Sequence, residues 1–144
     1  MIYNEYTMTQ VLNQKSNIKN QSQAKNSKPE VKYRAFYLSI NVIKFLEGLT
    51  YKQSIKIISD QLIRCLTSVG ANIVEAKSSS SKKEFLNYFQ IALKSANEAK
   101  YWLAMLRELL QEKKNEINIF LNEVEEISKI LGTSILTMKG KTRL

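Results

Sequence analysis

Apolar residues recur at helical spacing in four segments of the chain, and polar breaks separate these segments. In the first segment, steps of four, three, four, three and four residues connect Val31, Ala35, Leu38, Val42, Phe45 and Leu49. Such spacing places the side chains on one face of a helix. The later segments carry equivalent stripes: Ile55, Ile58, Leu62, Leu66, Val69 and Ile73; then Phe85, Phe89, Ala92, Ala96, Ala99, Leu103, Leu106 and Leu110; then Ile117, Leu121, Val124, Ile127, Leu131 and Ile135. The pattern predicts four amphipathic helices.

The breaks between the stripes carry helix start and stop signals. Capping boxes of the form Ser/Thr-x-x-Glu/Gln precede the first three helices, at Ser27–Glu30, Thr50–Gln53 and Ser81–Glu84. Gly48 is predicted to end helix one, helix two is predicted to run to about Lys77, and a polar turn around 113–115 is predicted before helix four. Short polar connections without a period-two strand pattern predict an all-α fold, an antiparallel up-down-up-down four-helix bundle.

Composition divides the chain into three regions. Residues 13–28 consist almost entirely of Asn, Gln, Ser and Lys, which offer little apolar surface to bury, so we expect 1–27 to be a flexible N-terminal arm. The bundle is expected at 28–139, and a basic C-terminal tail at 140–144. The start of the arm is less polar and could either dock as a short strand or turn or form a frayed terminus; its large apolar residues are Ile2, Tyr3, Tyr6, Met8, Val11 and Leu12.

The charge of the chain points to a polyanionic partner. The formal net charge is +9, from 22 Lys and Arg against 13 Asp and Glu, which suits a nucleic acid or an acidic protein. In an up-down-up-down bundle, nine of these cations meet at one end, here called the basic pole: Lys28, Lys32, Arg34, Lys77, Lys82, Lys83, Lys139, Lys141 and Arg143. We expect the basic pole to bind phosphates. The alternative is that these residues are solvated helix ends, where cations also favour the helix dipole.

Two helices carry a second patterned face that the core does not require. On helix two this face is polar and comprises Asp60, Arg64, Ser68, Asn72 and Glu75; on helix three it is apolar and comprises Ile91, Trp102, Met105 and Leu109. We interpret both faces as oligomer interfaces. The alternatives are an exposed i,i+4 ion pair between Asp60 and Arg64 and a broad core-facing surface on helix three.

The residues that most enzymes and metal sites require are missing or isolated. The chain has no His, which removes the commonest general base and transition-metal ligand, and its single Cys65 is interpreted as a small buried hydrophobe. No catalytic residue, metal site or cofactor is predicted, and the protein is not expected to be an enzyme. Neither a secretory signal nor a membrane-length apolar run is present, so we expect a soluble, cytoplasmic protein without a membrane partner.

Several short motifs resemble a known family. Asp60–Arg64, the run Ser68-Val-Gly-Ala-Asn-Ile-Val-Glu-Ala76 and Ile91–Glu98 are similar to the bacterial four-helix bundle proteins encoded by intervening sequences in 23S ribosomal RNA genes. The similarity covers about 31–139. The family often has Gly after the Glu of the second motif, where this chain has Ala76, so we expect helix two to run slightly longer here.

The resemblance implies a homopentamer of bundles with a non-enzymatic role in binding nucleic acid, usually described as RNA. A related fold member, the accessory variability determinant protein of diversity-generating retroelements, binds a reverse transcriptase and nucleic acid. Two functions follow as expectations. The first is an oligomeric bundle that binds nucleic acid, in the first place RNA, through the basic pole. The alternative is a protein-interaction adaptor that docks a polymerase such as a retroelement reverse transcriptase.

Overall fold

Four α-helices and one short 3-10 helix form the described part of the protein. The structure, a computed structural model, describes residues 28–50 and 52–140. Their helices are α1 (Val31–Glu47), α2 (Gln53–Lys77), α3 (Lys82–Leu109), the 3-10 helix Gln111–Lys113, and α4 (Lys114–Gly140). Each helix packs on the next, α1 also packs on α4, and these described residues contain no strand. The all-helical fold and the four-helix bundle predicted from the apolar stripes are confirmed.

The core is built from the predicted stripes. All six stripe residues of α2 are buried, and Phe89 through Leu106 of the α3 stripe are buried as well. α1 departs from the pattern because Leu46 is buried at its C-terminal end, while Phe45 is only partly buried and packs edge-to-face on Phe120 of α4. One continuous apolar cluster therefore joins the four helices.

The helix starts differ from the predicted capping boxes at two of three positions. α1 begins at Val31, with Glu30 as the N-cap residue and no side-chain capping bond. Pro29 therefore precedes the helix, and it also disfavours helical geometry in the residue before it, Lys28. α2 begins at Gln53 with Lys52 as N-cap, again without a side-chain bond, so the box proposed from Thr50 does not form. Only Ser81 caps its helix as predicted.

The helix ends agree more closely with the sequence. α1 ends before Gly48, and α2 ends at Lys77, after Ala76, as predicted from the missing glycine. The turn expected around 113–115 lies earlier, since α3 ends at Leu109 and the 3-10 helix follows at 111–113.

Two predicted regions fall largely outside the described residues. The arm at 1–27 lies there, as do Lys141 and Arg143 of the tail at 140–144, whereas Gly140 is the last residue of α4. Across 28–50 and 52–140, no helix combines the length and the hydropathy needed to cross a membrane.

Candidate functional site

A groove at the start of α3 holds the central part of the basic pole. α3 contributes its first two turns to one side and the last turn of α4 contributes the other, around a cavity of about 750 Å³. Three predicted phosphate-binding lysines, Lys82, Lys83 and Lys139, line this groove together with Ser81 and Glu84. The structure thus brings together cations that lie more than fifty residues apart in the chain.

The cap of α3 fixes the loop at the groove. Ser81 Oγ accepts a hydrogen bond from the Glu84 backbone N–H at 3.1 Å. The Glu84 carboxylate reaches back and accepts from the backbone N–H of Ser80 at 2.8 Å and from its hydroxyl at 3.0 Å. Glu84 is the only carboxylate among the described residues that line the groove, and it is engaged with the loop. The helix N-terminus, with its partial positive charge, also lies here.

Three lysines at this end have no carboxylate partner among the residues that the structure describes. Lys77, Lys82 and Lys83 are all exposed, and none lies within 4.0 Å of an Asp or Glu oxygen in that part of the chain. Lys77 lies in the last turn of α2, just before the loop, and does not line the groove itself. Their charge is consequently left for solvent or for an external anion.

The groove also contains polar residues that the sequence reasoning missed. Asn87 and Gln90 line it beside Lys83. Their spacing of four and then three residues from Lys83 places all three on one face of α3, a signal that was present in the sequence. Amide side chains can donate hydrogen bonds to phosphate and sugar oxygens.

Three further predicted cations of the pole, Lys28, Lys32 and Arg34, lie outside this groove and are paired. Nε and Nη2 of Arg34 donate to the two carboxylate oxygens of Glu123, each at 2.7 Å, and Nη2 also donates to Glu126 at 2.6 Å. Lys28 Nζ donates to the same Glu126 at 3.0 Å. Lys32 lies 3.7 Å from Glu30 and 4.8 Å from the ring centre of Tyr33. None of these three cations lines the groove at the start of α3.

Arg34, Lys28, Glu123 and Glu126 form a group of paired charges, here called the Arg34 cluster. Two of its members have shifted pKa values. The hydrogen bonds to Glu123, which outweigh the opposing effect of burial, raise the pKa of Arg34 above its ordinary value. Hydrogen bonds from Arg34 and then from Lys28 lower the pKa of Glu126 below its ordinary value. Neither glutamate was among the predicted site residues, although each directly precedes a core residue, Val124 or Ile127, on the α4 face that packs towards α1.

The polar second face of α2 is only partly available to another subunit. Ser68 and Ser95 of α3 share a hydrogen bond of 2.9 Å between their hydroxyls, and the amide of Asn72 donates to the Ser68 carbonyl at 2.8 Å. Asp60 accepts from Lys56 at 2.9 Å and does not pair with Arg64. Ser68 therefore connects α2 to α3 and Asn72 is bonded within α2, while Asp60, Arg64 and Glu75 remain on the exposed surface.

The apolar second face of α3 is divided in the same way. Trp102 and Met105 pack partly against the core, and Trp102 Nε1 donates to Glu98 at 3.3 Å. Ile91 and Leu109 are exposed, as is Tyr101, which was not predicted for this face. Exposed large apolar residues of this kind suit a protein contact.

Cys65 lies below this surface and is buried. Burial, followed by a hydrogen bond with Glu98, raises the pKa of its thiol to about 11. The thiol is therefore held in its protonated form.

Within 28–50 and 52–140, no group of three or more Cys, Asp or Glu side chains could hold a metal ion.

A second and larger groove lies between α1 and α4. It encloses about 850 Å³ and has mainly apolar walls, formed by Tyr33, Tyr37 and Leu38 on α1 and by Ile119 and Phe120 on α4. The Arg34 cluster lies at one end of this groove, and the described chain enters there through Lys28 and Pro29. α1 and α4 pack less extensively than the other neighbouring helices, which leaves the groove open.

A comparison with protein-family models shows to which family this chain belongs. Residues 27–133 match the family model of the 23S rRNA-intervening sequence protein, which is most of the chain and covers α1, α2, α3 and the greater part of α4. The chain belongs to the 23S rRNA-intervening sequence protein family. The resemblance inferred from the motifs at 60–64, 68–76 and 91–98 is thereby confirmed.

A solved structure is also similar to this chain. The crystal structure of a protein of unknown function from the S23 ribosomal protein family of Bacteroides thetaiotaomicron is 33% identical, with a TM-score of 0.68, and the match covers 74% of this chain and 98% of that one. No curated protein matches the chain. The family model contains the groove lysines of α3 and ends before Lys139, and it leaves residues 1–26 unmatched.

Proposed function

We propose that this family member is a non-enzymatic, oligomeric helical bundle that binds nucleic acid, in the first place RNA, through the basic pole. The observation that carries the proposal is the unpaired state of Lys77, Lys82 and Lys83 within the described residues, beside a groove that Lys139 also lines. Unneutralised cations at one end gain affinity for a polyanion by releasing its condensed counterions. The family name, which refers to 23S rRNA genes, favours RNA.

The proposed binding site contains fewer cations than the basic pole predicted from the sequence. Arg34 and Lys28 are neutralised by Glu123 and Glu126, so we assign them a structural role between α1 and α4. The groove lysines and Lys77 contact phosphates, and the amides of Asn87 and Gln90 add hydrogen bonds to the backbone of the nucleic acid. Such contacts position a strand and do not select a sequence.

An antiparallel course of the helices supports this grouping. Lys100 pairs with Glu125 at 2.8 Å, and Arg107 donates to Asn118 at 3.2 Å. Residues later in α3 therefore contact residues earlier in α4, as expected for antiparallel helices. If each helix runs antiparallel to the one before it, the end of α2, the start of α3 and the end of α4 lie at one end of the bundle.

Assembly into a homo-oligomer, a pentamer by the family resemblance, would place several basic poles side by side and raise the affinity by avidity. Exposed Ile91, Tyr101 and Leu109 on α3 and Arg64 on α2 supply the proposed interface. Light scattering in moderate salt tests this part. A monomer at micromolar concentration would rule out the oligomer.

The alternative is an adaptor that docks a polymerase such as a reverse transcriptase, with nucleic acid held by that partner. The exposed apolar residues of α3 favour it, because they would suit a foreign protein as well as a second copy. In that case the purified protein alone would not bind RNA or DNA.

A mobility-shift titration with matched charge reversals tests the proposal. The variant K77E/K82E/K83E should lose on the order of tenfold to a hundredfold in RNA affinity at low salt, since three phosphate contacts become repulsive. The control K44E/K52E/K114E changes three other exposed lysines without a carboxylate partner in the described residues and lowers the net charge equally. It should retain most of the affinity, and both variants should keep the wild-type mass in light scattering. Equal losses in the two variants would place the binding site elsewhere.

A further inference from the structure

The groove between α1 and α4 is open to solvent although its walls are apolar. Tyr33, Tyr37 and Leu38 face Ile119 and Phe120 across it. Ile119 is 67% exposed and Tyr37 and Phe120 are partly exposed, whereas Tyr33 and Leu38 are buried. The apolar surface left in water, which is unfavourable, therefore comes mainly from Ile119, Tyr37 and Phe120. A groove of about 850 Å³ with such walls is large enough to accept several side chains of a peptide segment.

The charges in the groove are unsuited to a polyanion. Arg34 and Lys28 are balanced by Glu123 and Glu126, with which they pair. The charged end of this groove is therefore close to neutral, in contrast to the groove at the start of α3. Asn41 and Asn122 add amide groups to the lining, and these can bond the backbone N–H and C=O groups of a peptide, which need partners when they leave water.

Residues 1–12 of this chain have the composition that the groove requires. They include Ile2, Tyr3, Tyr6, Met8, Val11 and Leu12, and Glu5 is the only charged side chain. The residues that follow, 13–27, carry almost no large apolar side chain and suit a connection. The family model begins at residue 27 and leaves this segment unmatched.

The position of the segment makes docking geometrically simple. The described chain begins at Lys28, which itself lines the groove. The α1 wall from Val31 to Asn41 is about 15 Å long, given the helical rise per residue. Residues 13–27 can extend over about 50 Å, enough to turn back and lay residues 1–12 along the wall. Covalent attachment also gives the segment a millimolar effective concentration at the groove.

We propose that residues 1–12 of the same chain occupy the groove between α1 and α4, with Tyr3 and Tyr6 packing against Ile119 and Phe120. This inference is independent of the proposed function, because it concerns a different face and its readouts involve no nucleic acid. It assigns the N-terminal extension the role of completing the bundle on its most weakly packed side.

Limited proteolysis of the full chain tests the proposal with a matched control. Chymotrypsin cleaves after Tyr6, and cleavage follows the population in which the segment is released. The variant I119S should be cleaved about tenfold faster than the wild type, since burial of one aliphatic side chain shifts an equilibrium by that order. The control L136S carries a comparable change at an exposed α4 residue that is 71% accessible and outside the groove. It should be cleaved at the wild-type rate, and equal rates in all three proteins would overturn the proposal.

A reciprocal measurement monitors the groove directly. In the full chain, the double variant Y3S/Y6S should shift the methyl resonance of Ile119, which no longer has the aromatic rings beside it, and leave those of Leu136 unchanged. An unchanged Ile119 resonance would contradict the docking.

Protection from chymotrypsin should also persist on dilution. Its disappearance on dilution would show that the segment of another copy occupies the groove, which overturns the intramolecular form proposed here.

Discussion

Replacing Arg34 by Met should destabilise the bundle without weakening nucleic-acid binding. The Arg34 side chain is only 9% exposed and makes two hydrogen bonds of 2.7 Å to Glu123, whose side chain is one-third exposed. Met keeps the length and apolar stem of the side chain and removes the guanidinium. Glu123 and Glu126 then face each other without a cation between them, apart from Lys28 at the exposed side.

The expected destabilisation follows from these hydrogen bonds. Charge-assisted hydrogen bonds contribute about 1.5–3 kcal/mol each when they are well shielded. Because water can replace part of the interaction at Glu123, we expect R34M to lower the free energy of unfolding by about 2–3 kcal/mol in total. R34K should give an intermediate decrease, since an ammonium group cannot make the paired, planar contact. K28M, which removes an exposed partner of Glu126, should remain close to the wild type.

Urea unfolding followed by circular dichroism measures the effect, and its pH dependence provides an independent check. The pKa of Glu126 is lowered in the folded protein, chiefly by Arg34. Its contribution is therefore present in full above the unfolded pKa of about 4.3 and is lost as pH falls through the lower folded pKa. The difference between wild type and R34M should shrink on acidification. A difference that stays constant or grows at low pH, or a R34M variant as stable as the wild type, would refute the reasoning.

Three further predictions concern the buried thiol, the cap of α3 and the core. The Cys65 thiol, with its pKa raised to about 11, should react with iodoacetamide at pH 8 on the order of a hundredfold more slowly than an ordinary cysteine, since only the thiolate reacts; rapid alkylation would contradict the burial. S81A should lower the free energy of unfolding by about 1 kcal/mol in urea titrations, because the Glu84 N–H loses its acceptor. L106A should cost about 2–5 kcal/mol in the same assay, while L136A, at an exposed residue, should change little; similar values for the two would contradict the assigned core.

The apolar periodicity predicted the fold because burial follows it closely. All six residues of the α2 stripe are buried, as are Ala35, Leu38 and Val42 of α1. The helix starts were harder to predict, since the same Ser/Thr-x-x-Glu/Gln pattern caps α3 at Ser81 and fails at Thr50, where the chain enters α2 through Lys52. The four-residue pattern alone therefore does not determine the path of the chain before a helix.

The candidate site was only partly predictable for a related reason. Summing charges at one end of a bundle correctly grouped Lys82, Lys83 and Lys139 around one groove. It could not anticipate that Glu123 and Glu126 of α4 would neutralise Arg34 and Lys28. Which cations remain unpaired depends on the rotation of each helix about its axis, and periodicity constrains that rotation only to within a broad face.

The most direct test of the proposed nucleic-acid interface is the salt dependence of RNA binding by the purified protein. For the wild type, the logarithm of the affinity should fall linearly with the logarithm of the salt concentration. The slope should be smaller by about 2–3 in K77E/K82E/K83E, because each phosphate that a lysine no longer neutralises lowers the slope by slightly less than one. It should be unchanged in K44E/K52E/K114E. Absence of binding at low salt, or the same slope in all three proteins, would contradict the assignment of the groove at the start of α3 as a nucleic-acid interface.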